Sequence, residues 1–362
     1  MRDKPKDEPL RRGWTTGACA AAATKAAYLA LLTGRFPDPV TIRLPRGETP
    51  SFDLVEKILR LDAAAAAIVK DAGDDPDVTH GALVRATVSR GEPGSGVIFI
   101  AGEGVGVVTR PGLPVAVGEP AINPGPRQLI REVVAAVARD HGDGGDIEAT
   151  IAIPGGEVLA ARTANGRLGI VGGLSVLGTT GIVIPYSCAS WIHSIHRGID
   201  VARASGLKHV AAATGSISER AVQAHYQLPD YALIDMGDFV GGTLKYLRRH
   251  PLPRLTLAGG FAKMAKLAAG HLDLHSSRSE VDLPALAEML AAQGAAGDLI
   301  DHARDASSAG QVLELAQRVG LPLAGEVALR ARRVALEQVD ASAIEVMIFD
   351  RQSRLIGRAE GW

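Results

Sequence analysis

The sequence predicts a chain of two architectures in series, α+β and then α/β. An N-terminal α+β domain with Gly/Pro-rich pocket loops spans 1–160, and a Rossmann-like, mostly parallel α/β domain with a helical C-terminal part spans 161–362. Three observations predict this. Short apolar runs bounded by turn residues crowd the stretch 40–153 and read as strands. From about residue 168, strand-like and helix-like segments alternate, which implies a parallel sheet with right-handed crossovers. Beyond about residue 284 the pattern is Ala-rich and helical until one late apolar run, Glu345–Asp350.

Composition sets the bounds. A length of 362 residues allows two cores, and a hydrophobic content of 46% with only 4% aromatics builds them from aliphatic side chains. The net charge of −1 argues against an obligate nucleic-acid binder. Two cysteines, Cys19 and Cys188, exclude a disulfide framework and a cysteine-rich metal site. The first residues are charged and lack a signal-peptide pattern, and the most apolar stretch, 170–186, is broken by glycines and a proline. A cytoplasmic chain with no membrane partner is expected, with a homo-oligomer left open.

After a charged, Pro-containing tail, Gly13-Trp14-Thr15-Thr16 runs into an Ala-rich helix to about Leu32. Thr15 or Thr16 can cap it and Gly34 end it, so a cap explains the threonines as well as a ligand contact does. Strands are expected over Val40–Leu44, Ser51–Leu61 and Ala63–Lys70. The loop Lys70–Gly81 then gathers Asp71, Asp74, Asp75, Asp77, Thr79 and His80 without the DxDxDG spacing of a calcium loop. A ligand-facing loop and a solvated turn account for it equally. Two more strands, Ala82–Ser89 and Val97–Ile100, precede Gly/Pro-rich loops over 102–126, either a pocket wall or a surface connection. A helix to about Arg139 and a strand over Asp146–Ile153 follow, and Pro154-Gly155-Gly156 marks the expected border.

The stretch Asn165–Gly198 organises what comes next. An apolar run, Leu168–Val171, suits a buried strand and stops at Gly172-Gly173. Ser187 can cap a helix over about Cys188–Ala204, with Ile192, Ile195, Ile199 and Ala202 on one face and His193, His196 and Arg197 on the polar side. Strands His209–Thr214, Tyr231–Ile234 and Arg254–Ala258 then end in Thr214-Gly215-Ser216, in Asp235 to Asp238, and in Gly259-Gly260. Open α/β sheets bind ligands beyond the carboxyl ends of their strands, which is where these residues gather. No GxGxxG or Walker pattern is present. The polar cluster His271–Arg278 spaces His271 and His275 four apart around Asp273, but neither HExxH nor cysteine accompanies them, and no metal site is expected.

Taken together, several segments resemble the CbiD family, the cobalt-precorrin-5B C(1)-methyltransferases of cobalamin biosynthesis. They are GWTTGACAAAATKAA from Gly13, KDAGDDPDVTHG from Lys70, GEGVGVVTRPGLPVAVGEPAINPGPR from Gly102, GIVGGLSVLGTTGIVIPYSCASWIHSIHRGID from Gly169, MGDFVGGTLKYLRRH from Met236 and GGFAKMAKLAAGHLDLHSSRSEVD from Gly259. Trp14 and Ala18 stand where many relatives are expected to carry Tyr and Thr. The resemblance implies methyl transfer from S-adenosyl-L-methionine to C-1 of cobalt-precorrin-5B, giving cobalt-precorrin-6A in the anaerobic branch. It supplies no catalytic residue list. On this reading the donor meets Gly172, Gly173, Thr214, Gly215, Ser216, Asp235, Asp238, Gly259 and Gly260. The carboxylate-rimmed corrinoid, the implied small-molecule partner, meets Thr15, Thr16, Lys70, Asp71, His80, Ser187, His193, His275, Ser276, Ser277 and Arg278. The loop 70–81 and the cluster 271–278 are expected to close over that ring. The competing readings are a nicotinamide-dependent oxidoreductase, which the missing GxGxxG disfavours, and a tetrapyrrole or cobalt carrier using His193, His196, His271 or His275.

Overall fold

The computed structural model describes residues 9–339 and 342–362, which fold as two compact units, one ending at Ser187 and the other running from Cys188 to Trp362.

The first unit contains β1 (Gly13–Trp14), α1 (Thr16–Thr33), β2 (Val40–Thr41), β3 (Ser51–Phe52), β4 (Glu56–Leu59), β5 (Ala63–Val69), β6 (Leu83–Arg90), β7 (Val97–Ala101), β8 (Val107–Val108), α2 (Pro124–His141), β9 (Ile147–Ala152), α3 (Gly156–Ala160), β10 (Ile170–Val171) and β11 (Ile182–Val183). Its main sheet has the order β4-β5-β6-β9-β7, antiparallel except for β7 beside β9. Along β6 the burial alternates, with Val84, Ala86 and Val88 inward, as a half-buried strand requires. Helix α1 is buried nearly all round. Its small side chains let it approach both the sheet and α2 closely, and its core contributions are alanine, Cys19 and Tyr28. Thr15 caps it through Oγ1, which accepts from the Ala18 N–H at 3.1 Å, and Gly34 ends it in the left-handed region.

Residues 161–187, expected to open the second domain, instead belong to the first unit. Strand β10 pairs antiparallel with β8 and β11 with β1. The apolar run that reads as a buried strand supplies only two paired residues. Gly173 packs backbone on backbone, since a Cβ there would lie 2.2 Å from the Gly104 carbonyl oxygen. Gly172 and Gly173 therefore do not follow a strand of the parallel sheet, contrary to the sequence expectation.

The second unit contains α4 (Cys188–Ala204), β12 (His209–Ala213), α5 (Ser216–Tyr226), β13 (Leu233–Asp235), α6 (Val240–Arg249), β14 (Arg254–Gly260), α7 (Phe261–Ala268), α8 (Leu283–Ala292), α9 (Gly297–Arg304), α10 (Ala309–Arg318), α11 (Leu323–Leu336), β15 (Ala343–Phe349) and β16 (Leu355–Ala359). The sheet order is β13-β12-β14-β15-β16, parallel except for the last strand. Strand β16 went unforeseen; it returns as a hairpin closed by Asp350, which accepts from the Gln352 and Arg354 amides. Strands β12, β14 and β15 are buried on both faces. On one face Ala211, Ala213, Leu233, Ala258, Met347 and Phe349 pack with Ala221 and Val222 of α5. On the other, Val210, Ala212, Leu255, Leu257, Ile344 and Val346 join a core with α4, α6, α7, α8, α10 and α11.

Candidate functional site

The sheet order locates the site. The chain leaves β12 through α5 toward β13 and then crosses back to β14 on the other side of β12. The connections after β12 and β14 diverge onto opposite faces, which opens a crevice at the carboxyl ends of these two strands. A cleft of about 1380 Å³ occupies this place. Its walls include Thr214 to Ser218 after β12, Gly260 to Lys263 after β14, Phe349 to Gln352 after β15, and Ser307 to Gln311 at the start of α10.

Two helix starts face this cleft without a side-chain cap. Gly215 precedes α5 and Gly260 precedes α7, and neither N-cap makes a side-chain hydrogen bond. Their first-turn N–H groups are left for water or a ligand. The glycines also leave room, because a Cβ at Gly215 or at Gly260 would meet nothing within 4 Å. Gly259 differs: its Cβ would lie 2.3 Å from the Met264 Cε and 2.9 Å from the Thr214 Oγ1, so this glycine serves the packing of the protein itself. The Thr214 N–H donates to the Ala258 carbonyl at 2.9 Å, tying the two loops together.

Charge in the cleft is mixed. Lys263 donates to the Thr214 carbonyl at 3.3 Å and pairs with Asp238 at 2.7 Å. Lys266 is buried and donates to the Leu274 carbonyl at 3.1 Å. Asp350 pairs with Arg354 at 2.6 Å. Burial pushes its carboxyl up, but the amides of Arg354 and Gln352 and the Arg354 guanidinium outweigh this and hold it below the usual range. Asp235 ends β13, and its carbonyl accepts from the Trp191 indole at 3.0 Å.

Of the residues expected to meet the donor, Thr214, Gly215, Ser216 and Gly260 line the cleft. Gly259 and Asp238 lie immediately behind it, through Thr214 and Lys263. Lys263, Lys266, Asp350 and the α10 start went unforeseen. Lys263 and Lys266 had a signal, because they stand three and six residues beyond Gly260 on the helix that the glycine turn opens.

The residues expected to meet the acceptor fall in both units. Ser276 lines the cleft. His275 Nδ1 lies 2.7 Å from Ser277 Oγ, and Arg278 is 61% exposed and paired with Asp273 at 2.9 Å. His193 is exposed on α4 and lies 6.2 Å, ring to ring, from His196, which stacks on Tyr246. Burial, then the nearby His193 and Arg197, hold the His196 imidazole below its usual value. Thr15 is a helix cap and Thr16 is buried in the first unit. Ser187 is the last residue of that unit.

In the loop 70–81, Lys70 is only 2% exposed and is closed by Asp77 and Thr79. Burial pushes the Asp77 carboxyl up, and the charge and hydrogen bonds of Lys70 and Thr79 bring it below the usual range. Asp71 pairs with Arg11, whose hydrogen bonds lower it to about 2, and His80 Nδ1 accepts from the Ala72 N–H at 3.1 Å. Asp75 accepts from the Tyr186 N–H at 2.8 Å. These contacts give the loop a structural duty that its sequence did not reveal. Among the described residues, no three His, Cys, Asp or Glu side chains are grouped to hold a metal ion, and no helix is long and apolar enough to cross a membrane.

A glycine-lined crevice at the switch point of an open α/β sheet is the place where folds of this class bind small molecules. By sequence the chain belongs to the CbiD family: the CbiD model matches residues 3–185 and the CbiD C-terminal domain model matches 273–360. It is 59% identical to the cobalt-precorrin-5B C(1)-methyltransferase of Paramagnetospirillum magneticum, over 98% of this chain and 99% of that one. It is 57% identical to the protein of the same name from Brucella canis, over 98% of this chain and 97% of that one. A solved cobalamin biosynthesis protein (cbiD) from Archaeoglobus fulgidus matches over 86% of this chain and 85% of that one, at 24% identity and a TM-score of 0.39.

Proposed function

We propose that the chain is a cobalt-precorrin-5B C(1)-methyltransferase that takes its methyl group from S-adenosyl-L-methionine at the cleft of the second unit. The observation that carries this reading is the 59% identity to a protein of that name, over nearly the whole of both chains.

The cleft suits such a donor on three counts. Gly215 and Gly260 leave space for a nucleoside to approach the backbone, and the uncapped starts of α5 and α7 offer N–H donors to its hydroxyl and carboxylate oxygens. Asp238, close behind the strand ends, neutralises Lys263, so this lysine sets no net positive charge against the donor's sulfonium. The donor supplies a methyl group on a positively charged sulfur; the acceptor carbon bonds to it as the carbon–sulfur bond breaks, and the electron pair stays on sulfur as a neutral thioether. The sulfonium is already a good leaving group, so the work left to the protein is alignment, and alignment alone is worth roughly 7–11 kcal/mol in well-oriented systems. The rigid, ladder-bonded ends of β12, β14 and β15 are suited to it.

The test is methyl transfer itself. Purified protein incubated with cobalt-precorrin-5B and S-adenosylmethionine carrying a ¹³C methyl should yield a corrinoid labelled at C-1 and one equivalent of S-adenosylhomocysteine. Reduction of a nicotinamide cofactor, with no labelled corrinoid, would favour an oxidoreductase instead.

A further inference from the structure

Lys70 and Lys266 are the buried lysines among the described residues, and they are treated very differently. The Lys70 ammonium is closed by the Asp77 carboxylate and the Thr79 hydroxyl. Lys263, one turn before Lys266, is neutralised by Asp238. Lys266 is 8% exposed, yet among the described residues its ammonium has one hydrogen-bond partner, the neutral Leu274 carbonyl, and no carboxylate within ion-pair distance. An ammonium carries three donors, and burying it without a counter-charge is costly. The same side chain lines the cleft, beside Lys263, Ser276 and Ser279. A buried cation that lacks its anion and borders a cavity calls for the anion to come from a ligand.

We propose that Lys266 binds a carboxylate of a ligand in this cleft. The proposal rests on the function proposed above, which brings in two sources of that chemistry. One is the amino-acid carboxylate of the methyl donor; the other is the carboxylate rim of the corrinoid acceptor. Ser276 and Ser279 line the same cleft, the Ser279 hydroxyl donating to the His275 carbonyl at 3.3 Å, while Lys263, already neutralised by Asp238, adds no net charge to compete. Lys266 is thereby a binding residue, and its bond to the Leu274 carbonyl orients it.

The experiment is a double-mutant cycle between side chain and ligand, read as dissociation constants by calorimetry. Wild-type protein and Lys266→Met are titrated with S-adenosylhomocysteine and its decarboxylated analogue, and separately with a cobalt corrinoid polycarboxylate and its methyl ester. In the wild type, removing the relevant carboxylate should weaken binding about 10- to 100-fold, as for a charged hydrogen bond. In Lys266→Met that penalty should shrink to less than about threefold. Shrinkage in the donor pair assigns the donor carboxylate, and shrinkage in the corrinoid pair assigns the acceptor. Equal penalties in wild type and variant overturn the proposal and leave the methyltransferase reading standing. Should Lys266→Met fail to fold, the wild-type titrations decide, with Lys266→Arg as the folded comparison. A loss below twofold for both carboxylates overturns the proposal without any variant. Failure of the wild type to bind either parent ligand sinks the proposed function as well.

Discussion

Replacing Gly260 with alanine separates ligand binding from folding. The backbone there has φ −79° and ψ 158°, which alanine adopts without strain, and a Cβ would meet no protein atom within 4 Å. Two opposing terms act on stability. Alanine is a poorer N-cap than glycine, costing about 0.5–1 kcal/mol. It also restricts the unfolded chain, which returns about 0.4–1 kcal/mol. They nearly cancel, so stability should stay within about 0.5 kcal/mol of wild type, a shift of about 1–2 °C for a unit this size. The added methyl group points into space the donor is proposed to fill, so S-adenosylhomocysteine should bind at least tenfold more weakly. Gly259→Ala is the counterpart: the Cβ would crowd Met264 and Thr214 and cost about 1–3 kcal/mol of stability. Scanning calorimetry and isothermal titration on both variants give the four numbers. Unchanged donor affinity in Gly260→Ala, with normal stability, would refute the placement of the donor at this glycine.

Three further outcomes follow from the same geometry. Exposed Cys188 should react rapidly with a thiol reagent, while Cys19, whose thiol burial pushes up to about 12, should react only on unfolding; two fast thiols in native protein would contradict the packing of α1. Asp71 is lowered from 3.8 to about 2 and Asp77 is also lowered, so both contribute stability that is present above about pH 4 and lost as pH falls through their folded values. A wild-type acid transition that Asp77→Asn leaves unaltered between pH 4 and 2, by circular dichroism, would show that this loop contributes nothing there. Arg278→Ala should change corrinoid affinity by less than about 1 kcal/mol, because the guanidinium is 61% exposed and already paired with Asp273. A loss of tenfold or more in a corrinoid titration would place Arg278 in a shielded contact.

Much of the second unit was legible because its signals are local. Helix Cys188–Ala204 follows from the spacing of Ile195, Ile199 and Ala202, all three of which are buried. The glycine turns after β12 and β14 sit at the carboxyl edge because alternation fixes the direction of each strand. Sequence could not order the strands, so neither the switch point between β12 and β14 nor the place of Asp350 was readable. The border failed for a related reason. Ile170–Val171 reads as a buried strand of either sheet, and only its pairing with β8, over 60 residues earlier, decides which. Lys70 and the aspartates that follow it look like a ligand-facing loop, since composition does not reveal that Lys70 is closed by Asp77 or that Asp71 is held by Arg11. The place of Lys266 on the helix that Gly260 opens was legible, but nothing in a sequence distinguishes a compensated buried ammonium from an uncompensated one.

The measurement that bears most directly on the account is the structure of the protein crystallised with S-adenosylhomocysteine. The nucleoside should lie in the crevice between Thr214-Gly215-Ser216 and Gly260, with ligand oxygens on the first N–H groups of α5 or α7. A nucleoside held only by residues of the first unit, with the crevice at β12 and β14 left to solvent, would contradict it.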